Sequence, residues 1–375
     1  MRKIGVEEEL MLVDPATGEL TGVSEQALRA HEADSDQVTI GVDVAGGETG
    51  LGHELFLQQI EVSTPPVQSV SELLREIRRC RKAAGAAAEA AGAAAVAVPA
   101  PVLVDPQEDV TPRPRYQRIY DEFGEISRQS LACAMHVHID VSDDEAVAVI
   151  DRIRPWLPVL TALSANSPYW RGRDTGYASW RTQTWTRWPS NGARESFGNV
   201  ETYRRTTKKM IEWGAAFDPA MVYFDVRLSE TYPTVEVRVA DVCTDVEDAA
   251  LVAALARALV TTSAAGNDGN AEAWRGDLLR VAAWRASRHG LSGQLVHPET
   301  LALAPVREVL EALVEHVGEA LDDAGDREFV RDAFEHLLSR GTGASRQRSV
   351  YEATGGDLQA VVKDLRERTT ASWSE

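Results

Sequence analysis

Residues 3–13 read KIGVEEELMLV, and the rest of the chain is best read outward from them. Ile, Val, Leu and Met dominate the stretch, which predicts an opening β-strand. Side chains alternate between the two faces of a strand, so Glu7 and Glu9 share one face and Glu8 takes the other. On that ground Glu8 is expected to tolerate substitution better than its neighbours. An edge strand can carry such acids as a solvated face, so the run alone decides nothing.

Later stretches repeat the pattern. Residues 133–141 (CAMHVHIDV) put His136, His138 and Asp140 in one row and Met135, Val137 and Ile139 in the other. A polar row backed by an apolar one suggests a wet sheet face, and neutral imidazole is a common metal ligand. Residues 234–242 (TVEVRVADV) set Glu236 and Arg238 on one face, and residues 221–228 (MVYFDVRL) do the same for Asp225 and Arg227. An acid beside an arginine is either a structural ion pair or a site where acids hold cations and Arg meets phosphate oxygens. Residues 51–62 (LGHELFLQQIEV) read as one strand. Strict alternation would part Glu54 from Glu61, so a shared site requires a bulge or a strand end between them. Together with 38–44 (VTIGVDV) and the turn AGGETG, this strand makes a hairpin candidate.

Helices are predicted over 71–92 (with Ser71 as N-cap), 116–130, 143–165 (split near Pro155 and Pro158) and 200–213. Five more follow, over 246–265, 271–289, 303–323, 325–339 and 355–369. Residues 93–98 read as a short buried strand or a helix end, and 99–115, with five prolines, as a loop. The stretch 166–195 reads as a long loop holding Arg171, Arg173, Arg181, Arg187 and Arg194, interleaved with Trp170, Trp180, Trp185 and Trp188. Arg for phosphates and an aromatic face for a base would suit a nucleotide. Strands joined by turns must pair antiparallel. The expected class is therefore α+β, an antiparallel sheet of about six strands backed by helices. It is expected as a single domain over 1–375, strand-rich to 245 and mainly helical from 246 to 375.

Composition excludes several functions. A net charge of −19 disfavours nucleic acid and anionic membranes as partners. No apolar run is long enough to span a membrane and no secretory leader opens the chain, which points to the cytoplasm. Cys80, Cys133 and Cys243 are too scattered for a zinc motif and are expected as reduced thiols. There is no P-loop, no strand-linked G-x-G-x-x-G and no G-x-S-x-G.

Five segments carry a family resemblance: GVEEE (5–9), QIEVSTPP (59–66), MHVHIDV (135–141), SANSPYWRGRDTGYASWRT (164–182) and PTVEVRVADVC (233–243). In this order, from about residue 3 to residue 370, they closely resemble the carboxylate–amine ligases also called glutamate–cysteine ligase type 2. The resemblance implies a glutamine-synthetase-like fold with a curved sheet. It implies ATP and Mg2+, with Mn2+ as a substitute. The implied reaction joins a carboxylate such as glutamate to an amine, cysteine by the family's name, through an acyl phosphate, in low-molecular-weight thiol synthesis. By motif, the metal ligands would be Glu7, Glu9, Glu54, Glu61, His136 and Glu236, a carboxylate-rich set that favours magnesium over zinc. Glu7, Glu9 and Arg238 would be the catalytic set, with Arg238 on phosphate. Arg173, Arg181 and Arg227 would be further contacts to ATP phosphate or a substrate carboxylate. The pattern leaves open whether His138 meets metal or substrate. Two other readings stand beside the ligase: a small-molecule kinase acting on a carboxyl or guanidino group, and a silent nucleotide-binding protein. An exposed sheet edge and the long loop leave a homodimer open.

Overall fold

The computed structural model describes residues 1–34, 50–104, 109–266 and 269–373. Strand β1 spans Ile4–Val13, α1 Ser24–Asp34, β2 Leu51–His53, β3 Gln59–Ser63, α2 Val70–Ala90 and β4 Ala94–Val96. After α3 (Pro114–Phe123) and α4 (Glu125–Arg128) come β5 (Ala134–Asp140), α5 (Ala146–Ile153) and α6 (Leu157–Ser164). The short strands β6 (Tyr169–Trp170) and β7 (Arg173–Asp174) precede α7 (Trp180–Trp185), α8 (Val200–Glu212), β8 (Val226–Leu228) and β9 (Thr234–Asp241). The remainder is α9 (Val246–Ala264), α10 (Gly276–His289), a hairpin of β10 (Gln294–Val296) and β11 (Leu303–Pro305), then five helices. These are α11 (Val306–His316), α12 (Gly318–Ala324), α13 (Arg327–Arg340), α14 (Gly343–Ala353) and α15 (Leu358–Ala371).

The main sheet runs β2-β3-β1-β5-β9-β8, with β4 on the second half of β1, and every pairing is antiparallel. The α+β expectation holds. Alternation explains why the sheet sits as it does. Ile4, Val6, Val137, Ile139, Val235 and Val237 form its apolar row and are all buried in one core with α5, α6 and α9. Each such side chain is worth roughly 1.5–3 kcal/mol when fully buried, which fixes the register and leaves the polar row facing the other way. Helix α9 is buried along nearly its whole length, and α11, α12 and α13 pack into the same core. A second core joins Leu10–Val13, α2, β4 and α15.

Several expectations need correcting. The strand over 38–44 and the loop to residue 49 lie outside the described residues. Residues 51–62 are not one strand but a hairpin, β2 and β3, turning over 54–58. Tertiary bonds hold that turn: Leu57 N donates to Asp109 O (2.7 Å), and Thr111 N to Leu55 O (2.9 Å). Ser69, not Ser71, caps α2, in a capping box with Glu72. Residues 303–305 join a hairpin, so the helix expected from 303 begins at Val306 and divides at Gly318. The stretch 166–195 contains β6, β7 and α7 rather than loop alone, and α1 and α14 were not foreseen.

Glu8 is the largest correction at a single residue. It does face away from Glu7 and Glu9, but it is not in solvent. Glu8 is buried, and Arg81, also buried, grips both its oxygens (Nε–Oε2 2.8 Å, Nη2–Oε1 2.6 Å). Arg81 also donates to the carbonyls of Thr244 (2.7 Å) and Cys243 (2.6 Å), tying β1 through α2 to the chain just beyond β9. The three cysteines are free and buried.

Candidate metal centre

Strand register assembles the site. Across β2, β3 and β1, Gly52 lies opposite Glu61 and Glu61 opposite Glu9. Across β1, β5, β9 and β8, Glu7 faces His136, His138 faces Glu236, and Glu236 faces Arg227. Period-2 alternation therefore delivers acids and imidazoles from neighbouring strands onto one face. One turn completes the set. Strand β2 ends at His53, and the turn after it brings Glu54 back beside Glu61, so of the bulge or strand end that a shared site required it is the strand end that occurs. A bulge does occur, in β9, where Arg238 and Val239 together oppose His136. Arg238 itself keeps the face that alternation from Glu236 gives it.

The distances are short. His136 Nδ1 lies 3.4 Å from Glu7 Oε2 and 3.7 Å from Glu236 Oε1, and its Nε2 lies 4.0 Å from Glu9 Oε1. His138 Nε2 is 3.3 Å from Glu7 Oε1, while its Nδ1 is 3.0 Å from Thr234 Oγ1. Three overlapping triads place one ligand atom per residue within 4.8 Å of the others: Glu7, His138 and Glu236; Glu7, Glu61 and His136; Glu9, Glu54 and Glu61. All six sequence-predicted ligands are brought together, and His138 joins them. Gly52 is a member the sequence did not reveal. A Cβ there would lie 3.4 Å from Glu61 Oε2, so the glycine leaves that carboxylate its space.

Electrostatics divide the acids into two groups. Glu236 is held well below the usual carboxylate range: burial would raise it, but Arg227 and Arg238 outweigh burial. Glu7 is also held low, with His138 and His136 overcoming its burial. Glu54 is pushed up to about 8 by burial and then by the Glu9 charge. Glu61 is raised well above its usual value by burial and then by Glu7 and Glu54, and Glu9 is raised by burial. Glu54, Glu61 and Glu9 thus crowd one end of the cluster with too little positive charge. His136 is lowered to about 4 by burial and by Arg238, which keeps it neutral, and its buried Nε2 has no hydrogen-bond partner among the described residues. A neutral imidazole with a free nitrogen among under-compensated carboxylates fits a hard divalent cation.

The predicted arginines part company. Arg238 bonds Glu236 and lies 3.4 Å from His136 Nδ1, beside the acids. Arg181, on α7, is buried behind it; its Nη2 donates to Arg238 O (3.2 Å), and Glu9 and Asp241 are its nearest countercharges. Arg227 turns to Glu236 (Nε–Oε2 2.6 Å) rather than to Asp225, and its Nη1 donates to Ala220 O (2.6 Å) and Val222 O (3.2 Å). Arg173 is exposed in the β6–β7 hairpin and joins the cluster by no ion pair or hydrogen bond among the described residues. Of the four tryptophans, Trp185 stacks on Trp188 and meets Tyr223 edge-on, and Tyr223 lies under Arg238. At the opposite end, a cavity of about 1000 Å3 opens from Glu7, Glu61 and His138 toward α9, α12 and the N-terminal residues.

Comparisons with known proteins bear on the family and the fold. The family model for glutamate-cysteine ligase family 2 matches residues 3–364. A Streptomyces coelicolor protein, provisionally named glutamate–cysteine ligase 2, is 48% identical over 377 residues, covering 99% of this chain and 100% of its own length. A Nocardioides relative, provisionally named glutamate–cysteine ligase 2-1, is 47% identical over 381 residues, with 100% of this chain and 98% of the relative covered. Among solved structures, the glutamate–cysteine ligase of Francisella tularensis in complex with AMP shares the fold at a TM-score of 0.67 and 12% identity, over 100% of this chain and 93% of that one. No helix among the described residues is long and apolar enough to cross a membrane. The chain belongs to glutamate-cysteine ligase family 2, and so to enzymes of the carboxylate–amine ligase type.

Proposed function

We propose that this enzyme uses MgATP to join the carboxylate of glutamate or a similar amino acid to an amine, with cysteine the first to test, through an acyl phosphate. One observation carries the reading. Five carboxylates and two imidazoles from neighbouring strands and one turn converge as three overlapping triads, with Arg238 at their edge. The names of the relatives support the substrate pair, and the AMP in the Francisella structure supports a nucleotide. Family membership favours ligation over the kinase alternative.

A carboxylate resists attack by an amine because its carbon is electron-rich and its leaving group is poor. Attack of a carboxylate oxygen on the γ-phosphorus of ATP releases ADP and gives the carbon a good leaving group. The amine then adds to that carbon, the C–O bond to phosphate breaks, and the amine nitrogen loses a proton. Phosphoryl transfer needs positioning and charge neutralisation more than a protein nucleophile. Glu7, Glu9, Glu54, Glu61, His136 and Glu236 would hold Mg2+, which supplies neutralisation of the phosphate oxygens. Arg238 meets the charge that develops on the transferred group, and Arg181 adds positive potential behind it. Arg227, its donors already engaged, orients Glu236 rather than binding phosphate. The cavity is large enough for a nucleotide-sized ligand beside the acids.

The test is product analysis with MgATP, glutamate and cysteine. The reading expects ADP, free phosphate and a glutamyl–cysteine adduct in equal amounts, with none formed when the amine is withheld. A phosphorylated product that accumulates over many turnovers without any amine, beyond one acyl phosphate per enzyme, would contradict it.

A further inference from the structure

Asp241 closes β9 and is almost fully buried, yet it belongs to none of the metal-binding triads. Its carboxylate collects three donors from both ends of one segment. Oδ2 accepts from Asn166 N (2.9 Å) and Ser167 Oγ (2.8 Å), and Oδ1 accepts from Ser179 Oγ (2.8 Å). The two serines pass the constraint on. Ser167 Oγ accepts from Arg181 N (3.0 Å), and Ser179 Oγ, the N-cap of α7, accepts from Thr182 N (3.4 Å). Helix α7 has 6 residues, too few to hold a helical turn in water unaided. Its first turn is gripped through Ser167 and Ser179, both bonded to Asp241, and separately through Ser287, whose O accepts from Ala178 N (2.9 Å) and Ser179 N (2.8 Å) and whose Oγ accepts from Gln183 Nε2 (2.8 Å).

Arg181 is the second residue of that helix. Arg181 is 5% exposed, its guanidinium lies near Glu9 and Arg238, and its buried Nε has no hydrogen-bond partner among the described residues. An unpaired donor on a buried guanidinium costs free energy unless a substrate oxygen meets it. Asp241 also supplies a negative charge that lets Arg181 remain charged there.

We infer that Asp241 is a positioning residue: through Ser167 and Ser179 it sets α7, and so aims the Arg181 guanidinium at the phosphate or carboxylate oxygens handled beside Glu9 and Arg238. The inference rests on the proposed ligase reading for its kinetic consequence, but not for its structural one.

The experiment has two arms, on Asp241→Asn, Ser179→Ala, Arg181→Met and the Asp241→Asn/Arg181→Met pair. Hydrogen exchange reads the structural arm. Amides of residues 180–185 should exchange faster in Asp241→Asn while those of β1 and β5 stay protected. Kinetics with MgATP, glutamate and cysteine read the functional arm. Asp241→Asn should lower kcat by about ten- to a hundredfold, the size of a misplaced charged group. The double variant should be no slower than Arg181→Met alone, because Asp241 acts only through Arg181. Independent, additive losses would overturn the inference, as would wild-type kcat and wild-type exchange in Asp241→Asn. Should Asp241→Asn fail to fold, Ser179→Ala with Arg181→Met carries the same cycle. Wild-type protein without turnover would sink the ligase reading, and the exchange arm would still decide the positioning.

Discussion

Glu8 and Glu9 are adjacent in the sequence and opposite in consequence. Glu8 is fixed by Arg81, so replacing it leaves a buried guanidinium without its countercharge. Breaking such a pair costs roughly 3–5 kcal/mol. Glu8→Gln should therefore lower the denaturant midpoint sharply while the ligand acids keep their register. An unchanged midpoint would show that the pair is dispensable. Glu61 predicts the reverse. Burial, and then the charges of Glu7, Glu54 and Glu9, raise it well above its usual value, so Glu61→Gln removes the cost of holding a proton on a buried carboxyl. The metal-free variant should melt higher than wild type, by about 1 °C for each kcal/mol relieved in a chain of 375 residues, and should lose stabilisation by Mg2+. A lower Tm in the metal-free variant would contradict this. At this scale the sequence was informative wherever period 2 held: Glu7, Glu9, His136, Glu236 and Arg238 follow from alternation. The partner of Glu8 was not legible, because Arg81 is 73 residues away and pairs through tertiary packing.

Among the elements, the β2–β3 turn was the hardest to read. Residues 54–58 (ELFLQ) contain no Gly or Pro to mark a reversal, and Phe56 is as apolar as any strand residue. The reversal is imposed by residues 109–111, which bond Leu55 and Leu57 and pair Val110 with Phe56. Helices α1 and α14 lack a strong apolar period, and the β10–β11 hairpin is short, so local pattern did not reveal them. Gly52 matters for the same hairpin. Gly52→Val should place methyl groups against Glu61 and lower the apparent Mg2+ affinity and activity by about tenfold or more, with far-UV circular dichroism unchanged. Wild-type Mg2+ dependence would show that the space is not needed.

For the molecule as a whole, the sheet and the C-terminal helices share a core, and the charge that matters is local rather than the net −19. Fold class was legible because strand alternation and turn-joined pairs are local signals. The docking of α11–α15 was not, because it depends on surfaces far apart in sequence. The acid cluster also couples stability to pH. Folded Glu54 holds its proton up to about 8 against 4.5 when unfolded, and His138, despite burial, is raised above 6.5 by Glu7. Between pH 6.5 and 8 the metal-free folded state therefore binds more protons than the unfolded one, so stability falls as pH rises. His136 has the opposite sign, because its unfolded imidazole (6.5) still binds part of a proton at the lower edge of this window while the folded one does not, but Glu54, protonated when folded and ionised when unfolded, outweighs it. Thermal melts in chelator should show Tm falling from pH 6.5 to 8. Added Mg2+ should stabilise more at pH 8, with protons released on binding. A Tm that rises across this window in chelator would contradict the protonation of the cluster.

The central claim is that Glu7 and its neighbours hold the metal that lets ATP be used. It is tested most directly by ADP release from MgATP with glutamate and cysteine, comparing wild type with Glu7→Gln at saturating Mg2+. Glu7→Gln should lose about a hundredfold or more in the folded variant, the scale of removing one charge-stabilising group from an active site. Full ATP-dependent activity in Glu7→Gln would contradict it.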